Sequence, residues 1–298
     1  MTQAPREPAA SALAVDDDGP PPDPVVATTG RGRGRVAATA RFLFSLWPPA
    51  LVLGGLFAVW WLVAARQWVP NYLIPRPAQV FQTMREQWPM LTHNSWVTLY
   101  ETLLGFVLAV LLGLATAVLI TYSRGFDKAV YPLVLVAQVI PKIAIAPLLV
   151  VWFGTDLRPK VILAVLIAFF PVVVSGVAGL RSTDPELLDL SATMGGTRWQ
   201  TFLKIRFPIA LPHLMAGVKV AVTLAVVGAV VGEFVGASEG LGYVLLLANG
   251  QLDAPLLFAD LILMSAIGIV LFVLLDVAEA LLIPWHASRR AGTPLTTA

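Results

Sequence analysis

Residues Ser182 to Pro208, STDPELLDLSATMGGTRWQTFLKIRFP, are a polar stretch of 27 residues between two long apolar runs. Thr183 and Glu186 have the spacing of a capping box, with Pro185 at a first helical position, which predicts a helix start. Gly195 and Gly196 predict its end, because glycine accepts the φ > 0 turn that closes a helix. Thr197 and Gln200 repeat the capping-box spacing and predict a second short helix, terminated by Phe207-Pro208. The expected unit is a helical hairpin held at a bilayer surface by its apolar flanks. A folded polar device in that position implies a partner.

The rest of the chain supplies the membrane. Of 298 residues, 57% are hydrophobic and 13% charged, against about 45–50% apolar and about 25% charged in soluble domains. That composition belongs to a polytopic membrane protein. The net charge is only +2, and no basic stripe with interleaved aromatics supports nucleic-acid binding. Cysteine is absent, which excludes disulfides, thiolate metal sites and cysteine nucleophiles. His93, His213 and His286 lie far apart, so no metal is expected, and no cofactor either. There is no G-x-x-x-x-G-K-[ST] phosphate loop, G-x-S-x-G or H-E-x-x-H element. Energy for any transport must therefore come from another subunit or from an ion gradient.

Six apolar stretches are expected to cross as helices, near residues 46–66, 97–121, 130–152, 160–180, 214–236 and 257–283. The last is too long for a straight crossing and should tilt or extend beyond the bilayer. Residues 1–36 read as a solvated cytoplasmic tail without a cleavable signal peptide. Residues 37–95 hold the first crossing and an interfacial segment, 96–285 the core, and 286–298 a cytoplasmic C-terminal tail. With the N-terminus inside, thirteen basic residues fall on the inner side and five outside: Arg66, Arg76, Arg85, Arg158 and Lys160. This agrees with the positive-inside rule and places the hairpin in the cytoplasm.

Several residues within the apolar runs are candidates for mechanism. Gly228, Gly232 and Gly236 recur on one helix face and allow a second helix to approach closely, either for packing or for sliding during gating. Lys142 lies between Pro141 and Pro147, which favour a kink or irregular stretch lining a cavity. A charge there must face protein or water, so Lys142 either meets a solute or pairs with an acid such as Glu233. Glu233 is the best candidate for a buried functional acid, with an interhelical hydrogen bond as the alternative. Lys219 can snorkel, and Asp276 and Glu279 are expected to be solvated or to face the hairpin.

The polar stretch resembles the EAA loop of bacterial ABC-importer permeases: an acid and two small residues, three residues, a glycine, nine residues, then I-x-L-P. The pattern falls on Asp189, Leu190 and Ser191, then Gly195, then Ile205, Phe207 and Pro208. It departs with Asp for Glu, Leu and Ser for the two alanines, and Phe for Leu. YLIPRPAQVFQTM (Tyr72–Met84), PLLVVWFG (Pro147–Gly154) and GEFVGASEGLGYVLL (Gly232–Leu246) resemble the nitrate/sulfonate/taurine branch of the binding-protein-dependent transport inner-membrane components.

The resemblance implies an all-α type I importer permease in the bacterial inner membrane, with six transmembrane helices and no catalytic residues of its own. It implies an ABC ATPase in two copies, a second permease copy in a homodimer, and an extracytoplasmic solute-binding protein. ATPase coupling would fall to Asp189, Ser191, Gly195, Arg198, Ile205 and Pro208. The solute would be of sulfonate, taurine or nitrate type, or of the pyrimidine and vitamin-precursor type that a proline-lysine at 141–142 resembles. The alternatives are an ion-coupled secondary transporter, for which no internal repeat is visible, and a membrane enzyme or scaffold. The missing catalytic constellation speaks against an enzyme, and the capped hairpin against an inert scaffold.

Overall fold

Helices account for most of the described backbone, as a bilayer demands of any chain that must satisfy its own peptide groups. The computed structural model describes residues 47–283, and the two predicted tails lie outside them. No strand occurs among the described residues. In chain order the helices are α1 (Trp47–Ala65), α2 (Pro77–Glu86), α3 (Trp88–Tyr122), α4 (Arg124–Val139), α5 (Ala146–Phe153) and α6 (Leu157–Arg181). They continue with α7 (Pro185–Thr193), α8 (Arg198–Thr201), α9 (Phe207–Gly236), α10 (Leu241–Gln251) and α11 (Ala254–Leu282). The chain divides into two compact units after Leu56, within α1. The packing described below belongs to the second.

The expected six continuous crossings are corrected. Four helical stretches are long and apolar enough to cross a bilayer: Trp88–Tyr122, Leu157–Arg181, Arg198–Gly236 and Ala254–Leu282. The predicted segment 130–152 is not one helix but α4 and α5, bent by 85° at a break. Pro141 is the cause: it disfavours the α conformation of the residue before it, and Ile140 accordingly adopts φ −64°, ψ 128°. A 3₁₀ turn over Lys142–Ile145 links the two pieces. Helix α1, at 19 residues, is near the lower limit for a span of about 17–25 residues. The predicted interfacial segment before Asn94 is shorter than expected, because α3 starts at Trp88 and runs unbroken through residues 95 and 96.

The core is built by close backbone approach. Helix α6 lies between α3 and α9, and small residues permit the contact on both sides. A Cβ added at Gly105 or Gly113 of α3 would come within 2.5 Å of Ala164 Cβ or 2.8 Å of Val172 Cβ. On the other side, a Cβ at Gly228 would meet Ala164 Cα at 2.6 Å, and one at Gly232 would meet Lys160 Cα at 2.8 Å. Gly236 approaches Val150 of α5 instead. Lipid supplies little hydrophobic drive between helices, so this close packing carries the association. The buried Ala109, Ala168, Val172, Ala221 and Ala225 fill the resulting seam.

Candidate functional site: an exposed hairpin and a buried polar knot

The hairpin is closed by local hydrogen bonds. Asp184, not Thr183, caps α7, its carboxylate accepting from the Glu186 N–H at 3.0 Å. With Pro185 already the first helical residue, Thr183 is one position too early. It lies buried with its hydroxyl unpartnered. At the other end, the Gly196 N–H donates to Ser191 O at 2.9 Å and the Gly195 N–H to Ala192 O at 3.1 Å. This is a Schellman closure, and it requires the left-handed φ of +75° at Gly195. The Thr197–Gln200 capping box forms in both directions, at 3.3 and 2.9 Å. Ser191 Oγ and Thr201 Oγ1, 2.8 Å apart, fasten one arm to the other.

Pro208 does not end the second arm. Residues Phe202–Arg206 form a π turn that leads directly into α9, with Pro208 in its first turn. The wider turn gives the proline ring room and leaves its missing N–H at a helix start, where it is tolerated. Ile205 sits half-buried in this turn. Phe202 anchors the arm, buried with Leu180, Ala210 and Leu214. Outside this anchor the hairpin is open: Met194 is 79% and Trp199 67% exposed. Leu187, Leu190, Asp189 and Arg198 are exposed as well. Leu187, Leu190, Met194 and Trp199 thus leave apolar surface open on an otherwise polar hairpin.

At the far end of α9, a second polar group of residues is wholly buried. Helix α10 begins after Gly240, and its first N–H groups have no partners within the helix. Side chains distant in sequence satisfy them. Asn94 Oδ1 accepts from the Gly240 N–H at 2.7 Å, Thr98 Oγ1 from the Leu241 N–H at 2.8 Å, and Glu233 Oε2 from the Gly242 N–H at 2.6 Å. The Thr98 hydroxyl donates to Glu233 Oε1 at 2.7 Å. The positive end of α10 favours the carboxylate. Gly240 has φ +107°, and a Cβ there would lie 2.2 Å from Glu233 Cδ. Beside this knot Lys160 Nζ donates to Glu101 Oε1 at 2.5 Å, with both side chains at most 8% exposed.

Two residues of the knot, and Lys160 beside it, differ from expectation. Asn94 was assigned to the interfacial segment and Lys160 to an outer loop, but both are buried. Thr98 carried no signal at all. Glu233 does not meet Lys142: the lysine is half-buried, donates to Gln138 O at 3.2 Å, and lies 4.4 Å from the Phe170 ring centroid. Lys219 is not a lone snorkelling charge. It bridges α9 to α11 through Asp276 at 2.5 Å and through Glu279. No cluster of metal-ligating side chains occurs among the described residues.

Residues 105–286 match the family of binding-protein-dependent transport system inner membrane components, over more than half of the chain. A probable ABC transporter permease protein of Haemophilus influenzae is 40% identical over 76% of this chain and 93% of its own length. The formylaminopyrimidine transport permease protein ThiX of Halalkalibacterium halodurans is 38% identical over 78% and 93%. The taurine transport system permease protein TauC of Escherichia coli is 27% identical over 78% and 88%. Among solved structures, an inward-facing MetNI methionine ABC transporter has a chain with TM-score 0.57 and 22% identity, covering 67% of this chain and 97% of its own length. That likeness carries the fold.

Proposed function

This chain belongs to the family of binding-protein-dependent transport system inner membrane components and is a permease component of an ABC importer; on that premise we propose that its hairpin transmits the work of a separate ATPase. The observation that carries this reading is the hairpin itself. It has a turn locked by Gly195, an exposed face of Leu187, Leu190, Met194 and Trp199, and a root fixed in the bundle by Phe202. A lever must be rigid, accessible and firmly attached, and these features supply all three.

In this reading ATP hydrolysis takes place on the partner subunit. Two copies of the chain enclose the pathway, a binding protein delivers the solute, and the hairpin faces the cytoplasm of a bacterial inner-membrane protein. Asp189 and Arg198 are exposed and offered to the ATPase, Arg198 from the rim it shares with the space beside α3, while Ser191, Ile205 and Pro208 hold the shape behind them. The solute is of the pyrimidine type rather than a sulfonate, supported by the 38% identity to the formylaminopyrimidine permease against 27% to the taurine permease. Lys142, in the broken crossing, is the residue assigned to meet it in this reading.

Gly195→Val tests the coupling. A β-branched residue is strained at φ +75°, so the permease should stay in the membrane while the ATPase is released or hydrolyses ATP without transport. Normal assembly with normal uptake would remove the docking role. Cysteines at Thr197 and Ser238, both exposed, should label from opposite sides of the membrane with an impermeant reagent. Labelling of both from outside would refute the orientation. In a strain expressing the complete importer, an aminopyrimidine should compete for uptake and taurine should not. The reverse result would return the solute to the sulfonate class.

A further inference from the structure

Between the end of α3 and the hairpin lies a cavity of about 470 Å³ whose charged lining is entirely basic. Arg124, Arg198 and Arg206 line it, together with Thr121, Tyr122 and Thr201. None of the three arginines takes part in the ion pairs found among the described residues, which engage His93, Lys160, Arg181 and Lys219. Arg206 is steered by the Tyr122 ring, 5.4 Å from its centroid. Helix α4 begins at Arg124, so the positive end of its dipole lies at the same place. Three guanidinium groups without a carboxylate partner among the described residues surround one space, and their chemistry suits an anion with several oxygens, since each can present two parallel donors.

The position of the cavity narrows the class of anion. Tyr122 is the last residue of α3, where its apolar run ends, and aromatic residues of this kind mark the headgroup level. Leu108, Leu111, Leu112, Leu119 and Tyr122 recur at helical spacing and are all exposed. They form an apolar stripe running down α3 into the basic cavity. A free anion has no use for such a track; an acyl chain does. We propose that the cavity seats the phosphodiester headgroup of an anionic membrane lipid whose acyl chain lies along that stripe. The lipid would thereby bridge the C-terminal end of α3 to the root of the hairpin. Basic pockets at the ends of membrane helices recognise headgroups in this way.

The test uses the complete importer, reconstituted in vesicles of phosphatidylcholine and phosphatidylglycerol, extracted and weighed by native mass spectrometry. The wild type should retain phosphatidylglycerol in preference to phosphatidylcholine. The double variant Arg124→Gln/Arg206→Gln should hold it roughly 30-fold more weakly, the effect of removing two cations near the surface. Arg124→Lys/Arg206→Lys should keep most of the retention, which separates loss of charge from loss of fold. Lys128→Gln/Lys204→Gln removes equal charge without touching the cavity and should retain the lipid. Equal retention by the two glutamine doubles, or no preference in the wild type, would overturn the proposal. Stripping of the lipid by excess inorganic phosphate would also overturn it, by making the site one for a free anion.

Discussion

The hairpin and the knot lie at opposite ends of α9, separated by its 30 residues or about 45 Å of helix, and they use polar groups in opposite ways. Hairpin bonds join residues at most ten apart in sequence and leave the outer face open. Knot bonds join residues 135 to 146 apart, apart from the local Glu233–Gly242 link, and are closed to solvent. A short-range polar device keeps its shape alone and can offer its surface to a partner. A long-range one has no free surface and holds α3, α9 and α10 together. One continuous helix joins them, and in the proposed coupling they would serve as the contact end and the fixed end of a lever.

The comparison breaks first at its buried charges. Lys160→Met strands Glu101 without its cation and should cost about 3–5 kcal/mol, read as a large fall in membrane yield. Glu101→Met/Lys160→Met should recover that yield, because the orphaned charge is removed with its partner. Normal yield from the single variant would show that the pair does not hold the bundle. Glu233→Gln comes next. It leaves one of the two donors at Thr98 and Gly242 facing an amide N–H₂, for about 1–3 kcal/mol. A lower Tm with ATPase still bound is expected, and an unchanged Tm would demote the knot.

The hairpin end should respond more gently. Asp184→Ala removes one cap, about 1 kcal/mol, and should speed hydrogen exchange over residues 185–193 without lowering yield. A loss of yield comparable to that of Lys160→Met would erase the distinction between the two ends. Lys142→Met should be the mildest for stability, within about 0.5 kcal/mol, because the lysine bonds only to Gln138 O and pairs with no carboxylate among the described residues. Uptake should nevertheless fall while assembly and basal ATP hydrolysis persist. Unchanged uptake would take Lys142 out of the pathway.

What could be read beforehand follows the same division. Gly195, Thr197 and Gln200 were legible because caps and turns are decided within a few residues of chain. The break at Pro141 was legible for the same reason. Thr183 was mistaken for the cap because Thr-x-x-Glu and Asp-Pro signals overlap, and only the backbone at Asp184 separates them. Pro208 was mistaken for a stop because its usual effect assumes a regular α turn before it, and the π turn removes that assumption.

The apolar runs, the polar hairpin and the family resemblance are properties of the one-dimensional chain, since hydropathy, capping and motif spacing involve only near neighbours. From them came the all-α membrane class and the importer-permease reading. The partners of Asn94, Thr98, Glu101, Lys160 and Glu233 were decided by the tertiary structure. Glu101, near the start of an apolar run, announces that a charge there needs company, but not whose, and Lys160 reads from sequence as an outer-side residue. Pairing depends on the rotation and register of α3, α6 and α9, and these are set where Gly105, Gly113, Gly228 and Gly232 let three backbones close upon one another.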